Sequence, residues 1–261
     1  MMVTFIAAAI LLSVVMAGGW AVQRATGNSG WVDVVWSFGL GLAGVVLALV
    51  PGGPTTRQIV VAVMIATWSA RLGLHIAQRS MHGPEDARYA ALRQEWGSRF
   101  QVRLFLFLQI QAAAAALLGL SMMLAAHNPA PFPRWLDIAG IVVLAISVVG
   151  EAVADDQLRR FKKDQANKGR VCDAGLWGWS RHPNYFFEWL GWVAYPLLAI
   201  SGDWWLGWLA LSGPAFMYWL LVHVSGIPLL EQQMLKSRGD AFRAYQARVS
   251  AFFLLPPKDF S

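Results

Sequence analysis

The sequence predicts an all-α integral membrane protein: a bundle of about seven transmembrane helices, with the N terminus outside and the C terminus cytoplasmic. Three observations support this fold class. The 261 residues are 57% hydrophobic and only 14% charged, whereas soluble domains are roughly 25% charged. Apolar runs long enough to span a membrane recur along the chain. Basic residues concentrate in alternate loops, as expected for the inner side of a membrane.

The apolar runs comprise five single spans and one longer region. No Lys or Arg precedes the long N-terminal run, which favours a first span over a cleaved signal. The last region is too long for one span, and "SGDWW" at 201–205 offers a turn that divides it. We therefore expect spans at about 2–22, 31–50, 58–78, 104–126 and 136–154, and two more within 185–224.

The distribution of Lys and Arg sets the orientation. With the N terminus outside, the inner segments hold 18 of the 21 Lys and Arg residues. Six spans would leave the basic C-terminal tail on the wrong side, so this bias supports seven. The net charge of +6 then reflects membrane topology and not a nucleic-acid partner. The inner segments are 23–30, 79–103, 155–184 and the tail from 225.

Ionisable and polar residues within or beside the spans are functional candidates, because placing them in a membrane is costly. Most lie toward the predicted inner face, where a cavity open to the cytoplasm would collect them. Any single one could instead make a helix–helix hydrogen bond or reach the interface with its charged end. These residues are Asp33, Arg71, Glu151, Asp155, Asp156, His182, Asn184, Glu188, His223 and Glu231.

The segment 155–184 is the most strongly basic part of the chain. "DDQLRRFKKDQANKGR" predicts a helix that ends near Gly169, on which Arg159 and Lys162 share a face. Such bases often meet lipid phosphates. However, carboxylates are interleaved with them, and a phosphate-rich ligand with ribose hydroxyls would use both kinds of group.

The stretch "WSRHPNYFFEW" places polar residues at the mouth of an apolar helix. Pro183 suits the first helical position, and Asn184 and Glu188 are then one turn apart on one face. His182 lies where a helix N terminus favours an anion. An amide and a carboxylate together could hold a carboxamide, the group that a nicotinamide presents. No GxGxxG after a strand, Walker loop or HExxH is present, and we expect no metal site.

Several motifs together resemble the steroid 5-alpha-reductase family and its bacterial relatives. The stretch "GLWGWSRHPNYFFEW" resembles the C-terminal region of that family, and "GPEDARY" at 83–89 resembles its Asp-x-Arg-Tyr element. "GNSGWVDVVW" resembles an N-terminal stretch of the bacterial members. "EQQMLKSRGDAFRAYQARVSAFFLLPP" resembles a tail shared with sterol reductases. The resemblance is dense from 151 to 257 and loose before residue 80.

The resemblance implies an NADPH-dependent reductase of 3-oxo-5-alpha-steroid 4-dehydrogenase type. Such an enzyme transfers a hydride to the C=C bond of an enone in an apolar substrate such as a 3-oxo-Δ4-steroid. The sequence has no internal repeat and no low-complexity linker, so we expect one domain over 1–261, with a substrate side at about 1–126 and a cofactor side at about 136–261. The cofactor-binding residues would be Arg88, Asp155, Arg159, Lys162, Arg170, Arg181, His182, Asn184, Glu188, His223 and Glu231.

The catalytic residues depart from the family pattern. The Gln-Glu pair and the Tyr that polarise the ketone in the human enzymes are not present as such. Asp33 is the nearest acidic group, and Trp68 stands where the Tyr would be. With Tyr89 they form the expected catalytic set. Desolvation at the membrane edge would favour the neutral form of Asp33, which could then donate to the carbonyl oxygen.

Two other functions are compatible with part of the sequence. Isoprenylcysteine carboxyl methyltransferases share the Arg-His-Pro-x-Tyr element and bind S-adenosylmethionine. A non-enzymatic lipid or sterol binder would also present an apolar cavity with basic edges. Glu188, "EDARY" and the seven bases of 155–184 favour the reductase. The expected partners are an apolar small molecule and membrane lipids, without nucleic acid, in the inner membrane if the source is bacterial.

Overall fold

The computed structural model describes residues 1–82 and 87–258. Within these ranges the chain is helical and forms no β-strand, only isolated bridges between Ser180 and Ser250 and between Ser201 and Trp204. The all-α prediction is therefore confirmed. Among the described residues, six helical stretches are long and apolar enough to cross a membrane: Met2–Thr26, Gly30–Leu49, Thr55–Met81, Arg88–His127, Trp135–Lys163 and Trp205–Arg238.

Ten α-helices follow one another along the described chain. They are α1 (Met2–Thr26), α2 (Gly30–Leu49), α3 (Thr55–His82), α4 (Ala87–Trp96), α5 (Phe100–His127), α6 (Trp135–Lys163), α7 (Pro183–Ala199), α8 (Ser212–Trp219), α9 (Ile227–Arg238) and α10 (Asp240–Arg248). A 3-10 helix at Trp205–Leu211 leads into α8, and a π-helical turn at Leu220–Val224 follows it.

Each of the first five predicted spans coincides with a long helix. The turn expected at 201–205 is also confirmed, because α7 ends at Ala199 and the next helix begins at Trp205. The basic helix, in contrast, ends at Lys163 and not near Gly169. Its stop is Asp164, whose extended backbone breaks the helix and whose side chain accepts a hydrogen bond from the backbone N–H of Ala166.

The chain divides into two compact units. The first contains Met1–Ile138 and Tyr195–Gly213, and the second contains Ala139–Ala194 and Pro214–Ser261. The first unit therefore holds α1 to α5, and the second holds most of α6 and α7 and all of α9 and α10.

Helix α2 is the centre of the first unit, where it packs against α1, α3 and α5. Small residues allow this close approach. A Cβ atom added to Gly41 would lie 2.3 Å from the Cβ of Ser69, and one added to Gly44 would lie 2.6 Å from the sulfur of Met122. Of the 18-residue apolar stretch of α2, 56% is buried inside the protein, whereas the matching figure for α1 is 22%. Helix α2 is therefore the more deeply buried of the two.

A buried ion pair fixes one end of the first unit. Arg57 of α3 and Asp137 at the start of α6 are fully buried and lie 3.1 Å apart. Arg57 also donates to the carbonyls of Leu198 and Ala130, and Arg134 donates to both carboxylate oxygens of Asp137. The ion pair and the hydrogen bonds to both side chains offset the cost of burial, although Arg57 Nε has no partner among the described residues. The network ties three chain segments together.

Helices α6 and α7 pack closely in the second unit. A Cβ atom on Gly150 would come within 2.3 Å of the Phe187 ring, so only glycine fits at that position. The Ser147 hydroxyl donates to the Phe187 carbonyl at 2.6 Å. Further along, the buried Tyr245 of α10 donates its hydroxyl to the Trp177 carbonyl at 2.5 Å. These contacts hold the N terminus of α7 between α6 and the C-terminal helices.

Candidate functional site

The first unit contains a hydrogen-bonded group of Asp33, Arg88, Tyr89 and Gln111, which we call the Tyr89 cluster. Asp33 lies in the first turn of α2, and its two carboxylate oxygens have different partners. Oδ2 lies 2.6 Å from Arg88 Nη2, and Oδ1 accepts the Tyr89 hydroxyl at 2.8 Å. The side chain of Gln111, from α5, also hydrogen-bonds with Tyr89. Helices α2, α4 and α5 thus meet at one phenol.

This geometry changes the role expected of Asp33. The sequence predicts a neutral carboxylic acid that donates a proton. In the structure both of its oxygens accept hydrogen bonds, one of them from a guanidinium. Among the three predicted catalytic residues, Tyr89 is the one with a hydroxyl group that can act as a proton donor. Tyr89 is only 2% exposed. Arg88, which the sequence predicts to bind the cofactor, pairs with Asp33 in the structure. The first four residues of "GPEDARY" lie outside the described residues.

Two tryptophans belong to the same part of the first unit. Trp68 of α3 is 2% exposed, and its ring meets that of Trp36 edge to face with centroids 6.5 Å apart. The Trp36 indole N–H donates to the Gln111 carbonyl at 3.3 Å. The sequence prediction named Trp68 and missed both Trp36 and Gln111. A glutamine within the apolar run "FLQIQAAAA" was the available signal for Gln111.

Asp155 and Asn184 meet in the second unit. The Asn184 side-chain amide, one residue after the helix start at Pro183, donates to Asp155 Oδ1 of α6 at 3.2 Å. Glu188, one turn further on, is buried, and it accepts the indole N–H of Trp192 at 2.9 Å. The helix start predicted at Pro183 is confirmed. The structure therefore brings Asp155 and Asn184 into contact and ties Glu188 to its own helix.

Arg181, His182, Glu231 and Gln246 form a second polar group, the Glu231 cluster. Arg181 donates to the Glu231 carboxylate at 2.7 and 3.2 Å, His182 Nε2 lies 3.1 Å from it, and Gln246 donates at 2.7 Å. Arg181 also donates to the Val249 carbonyl at 2.5 Å. Burial lowers the pKa of His182, and the adjacent carboxylate opposes that effect. The anion at the N terminus of α7 is thus a carboxylate of the protein itself.

Three of the other predicted cofactor residues, Arg159, Arg170 and His223, make contacts elsewhere in the second unit. Arg159, whose side chain is 64% exposed, pairs with Asp156 one turn earlier on α6. The carbonyl of Arg170 accepts a hydrogen bond from Arg238 at 3.3 Å. His223, on the π-helical turn, meets the ring of Tyr218 at 5.9 Å. Lys162 lies in the last turn of α6.

A groove of about 550 Å³ runs along α6 in the second unit. Valine and alanine side chains line one end, and Asp156, Gln157 and Arg160 line the other. A smaller cavity of about 290 Å³ shares Gln157 and Arg160 and reaches Cys172. Burial raises the pKa of the Cys172 thiol, which keeps it in its unreactive form. All residues that line the groove belong to α6, so the groove lies along one face of that helix.

Comparisons with known proteins place the chain in a family. A fission yeast protein from Schizosaccharomyces pombe (strain 972 / ATCC 24843), named "Uncharacterized protein C594.04c", is 28% identical over 94% of this chain and 78% of its own length. No solved structure matches. Residues 19–249 match the family described as "Protein of unknown function (DUF1295)". Because that match covers nearly the whole sequence, the chain belongs to the DUF1295 family.

Proposed function

We propose that this protein is an NADPH-dependent membrane reductase that delivers a hydride to the C=C bond of an enone, with a 3-oxo-Δ4-steroid as its substrate. The Tyr89 cluster is the observation that carries the proposal. A buried phenol, held by a carboxylate and a guanidinium, suits the polarisation of a carbonyl oxygen in an apolar site. Six apolar helices are consistent with a substrate that arrives from the membrane.

The proposed topology has seven spans with the N terminus outside. The seventh span would be α7, whose 17 residues are just long enough to cross the hydrocarbon core. An odd number of spans is supported by the concentration of 18 of the 21 Lys and Arg residues in the inner segments. Asp155, Asn184 and the exposed bases of α6 would then face the cytoplasm, where the cofactor is available.

Within the Tyr89 cluster each residue has a distinct task. Tyr89 has a single hydroxyl proton, which it donates to Asp33 Oδ1 at 2.8 Å in the structure. When the substrate binds, the hydroxyl turns from Asp33 to the substrate carbonyl and stabilises the enolate oxygen as negative charge develops. Asp33 thus holds the phenol in place until the substrate arrives, and Arg88 holds the carboxylate of Asp33. Trp68 and Trp36 supply an apolar wall that excludes water and strengthens the hydrogen bond on the carbonyl.

The residues of the second unit fit the proposed cofactor in part. Asp155 and Asn184 offer a carboxylate and an amide for ribose hydroxyls and a carboxamide, and Glu188 is close by on α7. Arg159, Lys162 and Arg170 would hold phosphates, since guanidinium and ammonium groups suit them. The groove along α6 has an apolar end and a polar end at which Arg160 pairs with Asp156. The bound cofactor would supply the hydride.

The Glu231 cluster does not fit a cofactor-binding role. Arg181 and His182 already hydrogen-bond with the carboxylate of Glu231. Their donor groups are therefore used within the protein. We therefore assign these three residues to the support of the N terminus of α7. The Arg-His-Pro element, which methyltransferases share, is then a structural feature and favours neither enzyme class.

A ligand-binding experiment separates the three candidate functions. Thermal unfolding of the detergent-purified protein is measured with NADPH, NADH and S-adenosylmethionine, and reduction of a 3-oxo-Δ4-steroid is followed by mass spectrometry. We expect NADPH to raise the melting temperature and to support reduction. A shift with S-adenosylmethionine alone would support the methyltransferase, and a shift with the steroid alone would support a binder. In the reduction assay, Tyr89→Phe tests the phenol, and Tyr218→Phe is its matched control.

A further inference from the structure

The side-chain amide of Gln111 hydrogen-bonds through one of its two polar atoms, while the other atom is buried without a partner among the described residues. Its side chain hydrogen-bonds with Tyr89, and its own backbone carbonyl accepts the Trp36 indole N–H at 3.3 Å. Oε1 is buried, and within residues 1–82 and 87–258 it has no hydrogen-bond partner. The side-chain amide therefore donates to the phenol through Nε2 and presents Oε1 as an unused acceptor.

Buried acceptors are normally paired, so an unpaired one beside a reactive group calls for an explanation. Gln109, two residues earlier on α5, shows the usual pattern: Oε1 accepts from the Ser13 hydroxyl at 2.6 Å and Nε2 donates to the Ser13 carbonyl at 3.5 Å. Gln109 is therefore satisfied within the protein. Among the described residues, Gln101 and Gln111 of the same helix each have a buried Oε1 without a partner, and Gln111 is the one whose side chain reaches Tyr89.

We propose that Gln111 determines specificity by accepting a hydrogen bond from a hydroxyl or N–H group of the substrate. The open acceptor lies on the same amide that holds Tyr89, so the donor group of the substrate must lie near the carbonyl that Tyr89 polarises. The substrate class is therefore an apolar enone that carries a hydroxyl or N–H group close to its carbonyl. The location of that carbonyl rests on the proposed function; the acceptor at Gln111 does not.

An analogue without the donor leaves Oε1 buried and unpaired in the complex. A site that hydrogen-bonds a hydroxyl group binds an analogue without that hydroxyl more weakly, because the complex with the analogue leaves a buried polar group unpaired. We expect the donor-bearing compound to bind at least about tenfold more tightly than its analogue. Gln111→Leu removes the acceptor and should abolish the preference.

Equilibrium binding in detergent, without cofactor, tests the inference. The probes are a 3-oxo-Δ4-steroid and the same steroid with a hydroxyl group on the carbon next to the ketone. Wild type should prefer the hydroxylated compound, Gln111→Leu should bind both equally, and Gln109→Leu should keep the preference. Gln111→Asn, which shortens the side chain, is the alternative if the leucine variant does not fold. Equal binding by wild type, binding of neither compound, or a preference that survives in both Gln111 variants would overturn the inference.

The outcomes for the two proposals are distinct. If wild type binds with the expected preference but reduces neither compound with NADPH, the reductase proposal fails and the role of Gln111 stands. If wild type reduces both compounds equally well and Gln111→Leu does the same, the reductase proposal stands and the role of Gln111 fails.

Discussion

Replacement of Glu231 by glutamine tests whether the Glu231 cluster supports the fold or binds a cofactor. The variant keeps the size of the side chain and removes its charge. In the wild-type protein that charge faces Arg181 at 2.7 Å and His182 at 3.1 Å, with a further hydrogen bond from Gln246 at 2.7 Å. The Arg181 and Glu231 side chains are only 11% and 13% exposed, so water screens the pair weakly.

The magnitude follows from this burial. Removal of one partner from a buried pair costs about 3–5 kcal/mol. Here the remaining exposure and the retained amide oxygen reduce the loss to about 2–3 kcal/mol. For chains of this size each kcal/mol lowers the melting temperature by about 2–4 °C. We therefore expect Glu231→Gln to melt about 5–10 °C below wild type.

The assay is thermal unfolding in detergent, followed by tryptophan fluorescence, together with NADPH binding well below the melting temperature. Asp240→Asn is the matched control, because Asp240 and Arg243 form an ion pair whose side chains are 95% and 68% exposed. Such a pair contributes little, so this variant should melt with wild type. A Glu231→Gln protein that melts with wild type but binds NADPH at least about tenfold more weakly would refute the structural role.

Four further results are expected. Tyr89→Phe should lower kcat for steroid reduction by about 10²–10³-fold with little change in KM, as measured by steady-state kinetics. Asn184→Ala should raise KM for NADPH about tenfold through the loss of a polar contact. Arg57→Met should leave Asp137 without one of its cationic partners, lowering the free energy of unfolding by about 3–5 kcal/mol in denaturant titrations. Below about pH 6.5 wild type should lose stability as pH falls, and His182→Gln should lose less.

The sign of the pH effect follows from the burial of His182. Burial lowers its pKa in the folded protein, so as the pH falls the unfolded chain takes up the proton first. The contribution of neutral His182 is complete above about pH 6.5, the usual value, and is lost as the pH drops below it. Melting temperatures at pH 7.5 and 5.5, compared between wild type and His182→Gln, isolate this contribution. An identical pH dependence in both proteins would contradict it.

Controls separate the remaining effects. Tyr218→Phe should leave kcat unchanged, because Tyr218 belongs to the aromatic contacts of the second unit. A loss of kcat in Tyr89→Phe that is matched by a loss of folded protein would argue against a catalytic phenol. Arg243→Met removes an exposed cation and should not alter the denaturation midpoint, in contrast to Arg57→Met. If Asn184→Ala raised KM for the steroid and not for NADPH, the cofactor assignment would be contradicted.

The helices were largely predictable because their signals are local. Apolar runs of spanning length indicated the first five long helices, and the turn at 201–205 was visible in its glycine and aspartate. The end of α6 was less predictable. Gly169 was the stronger stop signal in the sequence, but the extended backbone of Asp164 ends the helix first, and its side chain caps the 3-10 turn that follows.

The partners of polar residues were harder to predict because they depend on tertiary packing. The sequence drew attention to Arg181, His182 and Glu231, but it could not show that they face one another across about 50 residues of chain. Asp33 was likewise recognised, whereas its pairing with Arg88 required the meeting of α2 and α4. Gln111 was harder to predict because it is a neutral amide in an apolar helix and carries no charge signal.

The most direct test of the proposed reductase follows a labelled hydride. Purified protein is incubated with NADPH deuterated at either face of C4 and with a 3-oxo-Δ4-steroid, and the product is examined by mass spectrometry. We expect one of the two cofactors to deliver one deuterium to the β carbon, with a proton added at the α carbon, and Tyr89→Phe to slow the reaction. Unlabelled or absent product with both cofactors, together with a thermal shift from S-adenosylmethionine alone, would contradict the account.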